Sequence, residues 1–434
     1  MPTEKIVGVI NYLNNNKLKK IINLYVLFFV FHGIIAQNSL VQYDYESLNK
    51  LKTSLQFQIA SSETQKVYRD LVKRADKILT KKNPTVIDKE LRSPSGDQRD
   101  YLSISRYWWP DESKENGLPW VRKDGETNPD TQTDAVDRKR LGRMTNYVKT
   151  LSLAYFLTEE EKYAKKCASV LRTWFIDPRT RMNPNLKYAQ CVPGNGKSRR
   201  SGILDGREIP LKVLDGVALI AHSRYWKKKD DECLKKWLNE YMNWLVSSPV
   251  GKDGARQANN HGSWYYYQLA ALAYYNKDIP LIKDVVEKTK TIFESQLDER
   301  GGQHHELKRT RSFFYSCFNL DALTRIGIIA EKSGLSIWDY TCDGEYGGVV
   351  FQKAIDFLLP VVYGGKWDYK TKKKDDKTCL ASVLLRVAER MDNNSYKKAL
   401  KLLVDESITS NAPTKRQRRI RNDHYFVNQG LFKL

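Results

Sequence analysis

Several common signatures are missing from this 434-residue sequence. Its six cysteines include no CxxC pair and no short repeat, which excludes the usual zinc-ligand spacing. An oxidising compartment would allow one or two disulfides among Cys167, Cys191, Cys233, Cys317, Cys342 and Cys379, which the sequence alone does not pair. Several of these cysteines lie in apolar helical patterns, and for those we expect buried free thiols. No strand-like alternation of comparable length, no internal repeat and no linker is evident, so we expect one mainly helical domain.

A hydrophobic run long enough to span a membrane is also missing. The apolar run at 22–37 is shorter than the ~20 residues that a span needs. Lysines precede it and the small residue Ala36 lies near its end, which is typical of a secretory signal. No cysteine follows, which argues against a lipoprotein. We expect 1–37 to be a signal peptide, with an uncleaved anchor as the alternative, and 38–434 to be one domain of an exported, periplasmic or secreted protein.

Acidic residues are fewer than basic ones: the sequence has 73 Lys and Arg and 51 Asp and Glu, which gives a formal charge of +22. This excess favours a polyanionic partner. Export and the absence of a recognition motif argue against nucleic acid. We therefore expect an acidic polysaccharide as partner, no stable membrane span after signal removal, and a monomer.

Helical periodicity dominates what is present. The patterns predict helices over roughly 46–82, 138–156, 158–175, 206–224, 229–247, 261–276, 278–297, 315–333, 346–359, 378–391 and 396–404. Two long loops, roughly 92–134 and 178–204, interrupt them. Because such loops in a compact helical protein are usually functional or disordered, and tryptophans in the first argue against disorder, we expect these loops to carry the site. The fold class is all-α, a layered or toroidal array of helical hairpins.

One stretch, QANNHGSWYYYQLAALAYY at 257–275, joins amides and an imidazole to aromatic rings. In a helix that begins near His261, that residue shares a face with Trp264, Tyr265 and Gln268. Flat rings suit the C–H faces of a sugar, while polar groups fix its hydroxyls and carboxylate. The alternative is an Asn-rich cap on a buried aromatic helix.

A second stretch, GGQHHELKRTRSFFYSCFNL at 301–320, carries the cationic groups. His304 and His305 are adjacent and cannot face one ligand from a helix, so we expect no metal there. Arg309 and Arg311 lie near Tyr315, where two guanidiniums would lower the pKa of the tyrosine and hold an anionic substrate group.

Together these residues suit β-elimination at a uronate. The reaction removes the C5 proton beside the carboxylate and expels O4, and donors that neutralise the carboxylate make that proton more acidic. A base takes the proton and an acid gives one to O4. Asn260, His261, an arginine and Tyr315 supply these functions without a metal or another cofactor.

Four separated blocks carry a family resemblance. They are SRYWWPDESKENGLPWVRKDGETNP, NPNLKYAQCVPGNGKSRRSGILDGREIPLKVLDG, NNHGSWYYYQ and HELKRTRSFFYSCFNL. In this order, from about 98 to 333, they resemble the alginate-lyase superfamily of polysaccharide lyases. The resemblance implies an (α/α) toroid, an incomplete barrel of antiparallel helical hairpins with long cleft-lining loops. It also implies an alginate or glucuronan lyase, with mannuronate-rich alginate expected first and glucuronan next.

The resemblance also assigns residues. The family's Asn-His pair falls on Asn260 and His261, and its tyrosine falls on Tyr315. For its arginine, Arg309 is favoured and Arg311 is kept. Tyrosine and arginine of the N-terminal loop, which cover the substrate in related enzymes, correspond to Tyr107 and Arg106. Further substrate-binding candidates are Trp108, Trp109, Tyr188, Asn259, Trp264, Tyr265, Gln268 and His305, with a basic loop at Lys187, Lys197, Arg199, Arg200 and Arg207.

Two roles and two rival functions stay open at this point. In mannuronate and glucuronate the C5 proton and O4 lie on the same side of the ring. Tyr315 is therefore predicted as the acid and as a candidate base, while His261 is either the base or part of the carboxylate clamp. One rival is a helical-toroid glycoside hydrolase with two catalytic carboxylic acids drawn from Asp205, Glu208, Asp215 and Glu306. The other is a non-catalytic binder of acidic glycans.

Overall fold

The structure is a computed structural model that describes residues 40–195, 200–342, 347–371, 377–410, 414 and 416–418. The expected signal segment, 1–37, lies outside these ranges. Within them, no helix has both the length and the apolar character that crossing a membrane requires. All six cysteines are free thiols, and Cys167, Cys317 and Cys379 are buried.

Helices form most of the described chain. In chain order they are α1 (Tyr45–Gln56), α2 (Ser62–Leu79), α3 (Arg138–Thr158), α4 (Glu161–Leu171), α5 (Ile203–Gly206), α6 (Glu208–Ile220), α7 (Lys228–Ser247), α8 (Pro249–Ala255), α9 (Asn260–Asn276), α10 (Ile279–Gln296), α11 (His304–Leu307), α12 (Ser312–Lys332), α13 (Val350–Asp356), α14 (Leu359–Val362), α15 (Ala381–Val387) and α16 (Asn394–Thr409). One π-helical turn, Arg172–Ile176, extends α4.

Short strands lie in the long loops. They are β1 (Leu102–Ile104), β2 (Trp108–Trp109), β3 (Val121–Arg122), β4 (Tyr188–Cys191), β5 (Thr341–Cys342) and β6 (Gly348–Val349). β1 pairs with β4 in parallel, and β2 pairs with β3 in an antiparallel hairpin. The first pair therefore ties the two long loops, 92–134 and 178–204, to each other.

An inner row of helices forms the core. α3 packs on α6, α6 on α9, α9 on α12, and α12 on α15. α9 and α12 are buried on most sides, which matches sequences rich in alanine, leucine, isoleucine and aromatic residues. Each inner helix is thus enclosed by its neighbours and by an outer layer.

The outer helices are amphipathic and return antiparallel to inner ones. α4 follows α3 after a two-residue turn, and α10 follows α9 in the same way, with each pair in contact. The buried residues of α10 include Ile282, Val285, Val286 and Phe293, one stripe at helical spacing. The predicted all-α toroid of antiparallel helical hairpins with long loops is confirmed.

The inner helices α3, α6, α9 and α12 begin at one end of the molecule. Arg138 opens α3, Arg207 immediately precedes α6, His261 lies in the first turn of α9, and Tyr315 in the first turn of α12. All of them line one pocket. Since a helix N-terminus carries partial positive charge, this end of the toroid favours an anionic ligand.

Candidate active site

The pocket at this end of the helices has a volume of about 350 Å³. Its walls are the long loops and the first turns of α9 and α12. The lining residues are Ser105, Arg106, Tyr107, Trp108, Arg122, Arg138, Gln190, Ser201, Leu204, Arg207, Asn259, Asn260, His261, His305, Glu306, Arg309, Phe314, Tyr315 and Phe318. Within the described part of the chain, Glu306 is the acidic member of this lining, so the pocket is strongly basic.

The first turn of α9 presents Asn260 and His261 to the pocket. Asn259 caps the helix, because its side-chain oxygen accepts a hydrogen bond from the His261 N–H at 2.9 Å. Gly262 permits a close approach here, since a Cβ at this position would lie 2.0 Å from the Gln257 carbonyl oxygen. The NNHG sequence therefore builds both the cap and the half-buried imidazole that lines the pocket.

Asn260 is held by a buried carboxylate. Its backbone N–H donates to Glu306 Oε1 at 2.8 Å, and its Nδ2 donates to Oε1 at 2.9 Å and to Oε2 at 2.8 Å. Both residues are 2% exposed. Burial raises the pKa of Glu306 above its ordinary value, against the opposing effects of the Asn260 hydrogen bonds and the Arg309 charge.

Arg309 and Tyr315 form the second half of the site. The guanidinium carbon lies 3.7 Å from the centroid of the Tyr315 ring. Arg309 Nη2 also donates to Asp124 Oδ1 at 2.9 Å, and Thr310 Oγ1 donates to Asp124 Oδ2 at 2.9 Å. Burial raises the pKa of Asp124, but the hydrogen bonds from Arg309 and Thr310 outweigh it and hold that pKa low. Arg309 is thus held over the phenol ring by Asp124.

The 92–134 loop completes this half of the site. Tyr315 Oη donates to Tyr107 Oη at 3.0 Å. Gly125 has φ +80°, and a Cβ there would lie 2.6 Å from Thr310 Oγ1, so glycine lets the loop approach the start of α12. Burial raises the pKa of Tyr315 well above its usual range, although the Arg309 charge lowers it. Arg309 thus acts in the expected direction, but the expected net lowering of this pKa is wrong because desolvation is the larger effect.

A separate basic cluster consists of Arg106, Arg138 and Arg207. These arginines line the same pocket, and the Arg138 charge, followed by burial, lowers the pKa of Arg106. Asp205 lies behind them, 3.3 Å from Arg138 Nη1, and is held by Tyr101, Ser103 and Gln190. Arg207 lies over the rings of Trp264 and Phe318. The cluster is preorganised for a further negative group.

The pocket brings together most of the predicted site residues. His261, Tyr315, Asn260 and Arg309 all line it, as do the predicted substrate-binding residues Arg106, Tyr107, Trp108, Asn259 and His305. Burial lowers the pKa of His305, followed by the charges of His304 and Lys308.

Three predicted residues of α9 lie behind the pocket surface. Trp264 is 1% exposed, Tyr265 4% and Gln268 0%. Gln268 accepts from Tyr241 Oη at 2.8 Å and donates to the Ile203 carbonyl, and Tyr265 Oη donates to the Leu245 carbonyl. They share a helical face with His261, but from one turn beyond the helix start this face is covered by the core. These residues therefore support the wall of the pocket and are too buried to contact a sugar.

Other predicted residues lie beside the pocket. Arg311 stacks on Phe314 at 4.5 Å and is not part of the lining, which favours Arg309 as the arginine of the site. Trp109 Nε1 donates to the Glu126 carbonyl and the ring packs under Lys123. Tyr188, with Lys187 over its ring, lines a different cavity. Of the basic loop, Arg207 lines the pocket, while Lys197, Arg199 and the side chain of Arg200 lie outside the described residues.

The residues missed at the sequence level include Arg138, which lines the pocket, and Asp124, which holds Arg309 from outside the lining. Neither lies in a periodic pattern that marks a site, and only the fold brings them to it. Glu306 was considered solely as a hydrolase acid. Among the described side chains, no group of three His, Cys, Asp or Glu is placed to share a metal ion.

The candidate hydrolase carboxylates are all engaged in other contacts. Asp205 holds Arg138, and Glu306 holds Asn260. Glu208 pairs with Lys212 at 2.5 Å. Asp215 accepts hydrogen bonds from the backbone N–H groups of 41–43. No two of these four face each other across the pocket, so the hydrolase alternative has no acid pair among them.

A helical toroid with an asparagine, a histidine, an arginine and a tyrosine in one basic pocket defines a polysaccharide lyase. The family model of alginate lyase matches residues 86–367, and the chain belongs to this family.

Solved structures agree with this assignment. An alginate lyase from Bacteroides ovatus is 32% identical, with 91% of this chain and 100% of that chain covered and a TM-score of 0.79. Alginate lyase A1-III from Sphingomonas species A1 is 16% identical over 84% of this chain and 92% of its own, with a TM-score of 0.54, which supports the fold alone. An A1-III variant complexed with a tetrasaccharide is similar at 16% identity, 83% and 90% coverage and a TM-score of 0.55. A comparison with curated proteins gave no match.

Proposed function

We propose that this polysaccharide lyase cleaves a 1,4-linked polyuronate by metal-free β-elimination. Mannuronate-rich alginate is the preferred candidate and glucuronan the second. The observation that carries the proposal is the meeting of Asn260, His261, Arg309 and Tyr315 in one basic pocket. The relatives described as alginate lyases support alginate as the first substrate to test.

The carboxylate of the cleaved uronate is proposed to lie between Asn260 and Arg309. Negative charge that develops beside C5 is then met by the guanidinium of Arg309 and by the amide at the start of α9. Asp124 and the Tyr315 ring hold Arg309 in place. The guanidinium therefore stabilises the carbanion-like transition state without having to reorient.

The two proton transfers are proposed to belong to His261 and Tyr315. Burial raises the pKa of Tyr315, so its phenol is protonated at neutral pH and suited to give a proton to O4. His261, at the start of α9, is then the base that takes the C5 proton. The alternative, in which Tyr315 performs both transfers, requires a phenolate that this burial disfavours.

Export is proposed as well, from the basic and apolar pattern at 1–37. A secreted or periplasmic enzyme meets a polyuronate outside the cytoplasm, and a charge of +22 attracts such a polyanion.

A substrate panel tests the proposal. The purified protein is given polymannuronate, polyguluronate, glucuronan and a neutral polysaccharide, with cleavage followed by the ultraviolet absorbance of the unsaturated uronate end. We expect absorbance to rise fastest with polymannuronate and not at all with the neutral polymer. Reducing ends without ultraviolet absorbance would instead show a hydrolase, and binding without either signal would show a non-catalytic glycan binder.

A further inference from the structure

Asn260 carries an unexpected orientation for a residue that binds a carboxylate. Its Nδ2 donates to both oxygens of Glu306, at 2.9 and 2.8 Å. The remaining polar atom, Oδ1, accepts no hydrogen bond from any described residue. A carbonyl oxygen is an acceptor only and repels a carboxylate, so this orientation does not suit a clamp on the substrate.

Glu306 is equally unusual in this place. It is 2% exposed and belongs to the lining of a pocket built for polyanions. An ionised carboxylate here repels the carboxylate of an incoming sugar. Among charged and titratable groups, Arg309 favours its ionised form, and His261, His305 and Tyr315 belong to the same pocket lining. Burial acts against ionisation and is the largest influence on its pKa.

We propose that Glu306 is a positioning residue that takes up a proton when the substrate binds and thereby turns the Asn260 amide by half a rotation. In this state one Glu306 oxygen carries the proton and donates to Asn260 Oδ1. The other oxygen still accepts the Asn260 backbone N–H. Nδ2 then faces the pocket and donates to the substrate carboxylate. The proton comes from solvent, and no other bond is made or broken.

This inference rests on the proposed function and concerns how pH regulates substrate binding at the same site. Binding of the uronate and protonation of Glu306 favour each other, because the protonated acid removes a repulsive charge and frees a donor. Substrate affinity is therefore expected to fall as the pH rises through the raised pKa of Glu306.

Glu306→Gln tests this coupling, because its amide donates to Asn260 Oδ1 at every pH and imitates the protonated acid. We expect the ratio of kcat/KM, variant to wild type, to rise up to about tenfold per pH unit where wild-type Glu306 ionises. Glu306→Met, which has a similar size but no donor, is the matched control and should have low kcat/KM throughout. A ratio for Glu306→Gln that is constant with pH, or equal behaviour of the two variants, would overturn the inference.

A binding measurement gives a readout besides activity. Calorimetric titration of the slow variant Tyr315→Phe with a mannuronate tetramer, in buffers of different ionisation enthalpy, should show uptake of a proton. The proton uptake should vanish in the double variant that carries both Tyr315→Phe and Glu306→Gln. An unchanged uptake would assign the proton to another group and refute the role of Glu306.

Thermal stability separates this inference from the proposed function. Without substrate, the raised pKa of Glu306 means that ionisation disfavours the folded state, so stability is lost as the pH rises through that pKa. The Tm of Glu306→Gln relative to wild type should therefore increase with pH. If this trend is present but no polyuronate is bound or cleaved, the proposed function fails. If polyuronate is cleaved but both the trend and the pH-dependent ratio are absent, the inference on Glu306 fails alone.

Discussion

Tyr315 lies in a buried environment beside a cation and a second phenol. It is 7% exposed, has a guanidinium against its ring and donates to a second phenol, that of Tyr107. Removal of water makes a lost proton costly, while the nearby cation stabilises negative charge that develops when the proton moves. In the proposed mechanism, such a phenol stays protonated until it gives its proton to the leaving O4.

Tyr315→Phe should therefore remove the acid while leaving the ring contact with Arg309 in place. We expect kcat to fall by about 10²- to 10⁴-fold, as for loss of a general acid, with a smaller change in KM. Steady-state rates on polymannuronate measure it. Tyr265→Phe is the control, since Tyr265 Oη donates to a core carbonyl away from the pocket, and near-wild-type kcat is expected. Equal losses in both variants would contradict an acid role for Tyr315.

Arg309 and Arg311 provide a matched pair for the carboxylate clamp. Arg309 lines the pocket between Asp124 and Tyr315, whereas Arg311 stacks on Phe314 outside the lining. A lysine cannot keep the flat, forked contact of a guanidinium. Arg309→Lys should lower kcat/KM by about 100-fold, equivalent to ~2.7 kcal/mol of transition-state stabilisation, and Arg311→Lys by less than about threefold. The reverse order would transfer the clamp to Arg311.

At the residue scale, sequence reasoning identified the polar members of the site better than the aromatic ones. Asn260, His261 and Tyr315 stood in recognisable blocks, and the fold brings them together. Trp264 and Gln268 were expected to share the face of His261, and they do, but α9 is an inner helix that is buried on most sides. Periodicity shows which residues share a face and does not show whether solvent or another helix covers it.

Among the elements, the β2–β3 hairpin matters most for the site. Its strands pair Trp108 with Arg122, and the turn beyond β3 supplies Asp124, which fixes Arg309. The sequence predicted a functional loop here. It did not predict the strands, because two residues are too few to show an alternation of apolar and polar residues. The hairpin is therefore a feature that only tertiary contacts disclose.

The two tryptophans of β2 test the role of the hairpin because neighbours in a strand point to opposite sides. Trp108 lines the pocket, while Trp109 packs under Lys123 and donates to the Glu126 carbonyl. Trp108→Ala should raise KM by about tenfold, or ~1.4 kcal/mol of binding, and Trp109→Ala by less than about twofold. Initial rates at varied polymer concentration measure both. An equal rise in KM would mean that the hairpin as a whole has been disturbed.

Helix boundaries show where sequence patterns are least informative. The pattern at 46–82 predicted one helix, but the chain turns at Gln58, which has φ 58°, and Ser61 caps a new helix. The pattern at 158–175 predicted a helix that begins at Thr158, but α4 begins at Glu161. Thr158 instead ends α3 and bonds back to the Ala154 carbonyl, because α3 continues two residues further than expected. A periodic pattern does not indicate to which of two adjoining helices a residue at their junction belongs.

At the scale of the whole molecule, the N-terminal segment is fastened to the inner helices. Asp215 of α6 accepts backbone hydrogen bonds from Val41, Gln42 and Tyr43, and Lys332 at the end of α12 donates to the carbonyls of Leu40 and Tyr43. Asp215 is 2% exposed, so these bonds compensate a buried charge. The ionic contacts hold three distant parts of the chain together.

Asp215→Asn should destabilise the fold, because the new amide nitrogen would face backbone N–H groups. We expect a loss of ~2–4 kcal/mol in the free energy of unfolding and a fall in Tm of several degrees. Asp284→Asn removes an exposed pairing with Lys288 and should cost less than about 0.5 kcal/mol. Thermal denaturation of both variants measures the difference. Similar Tm values for the two would show that the fastening contributes little.

The contacts of residues 40–43 with Asp215 and Lys332 also fix where this N-terminal segment joins the toroid. Residue 40 is bound at Lys332, whereas Tyr315, which lies 17 residues earlier in the same helix, lines the pocket. Seventeen helical residues span ~25 Å, so the entry point lies about one helix length from the pocket. A bead or a display scaffold joined ahead of residue 40 would therefore leave the cleft facing the bulk solution. Immobilised in this way, the enzyme should still reach polymers that are too large to enter a porous support.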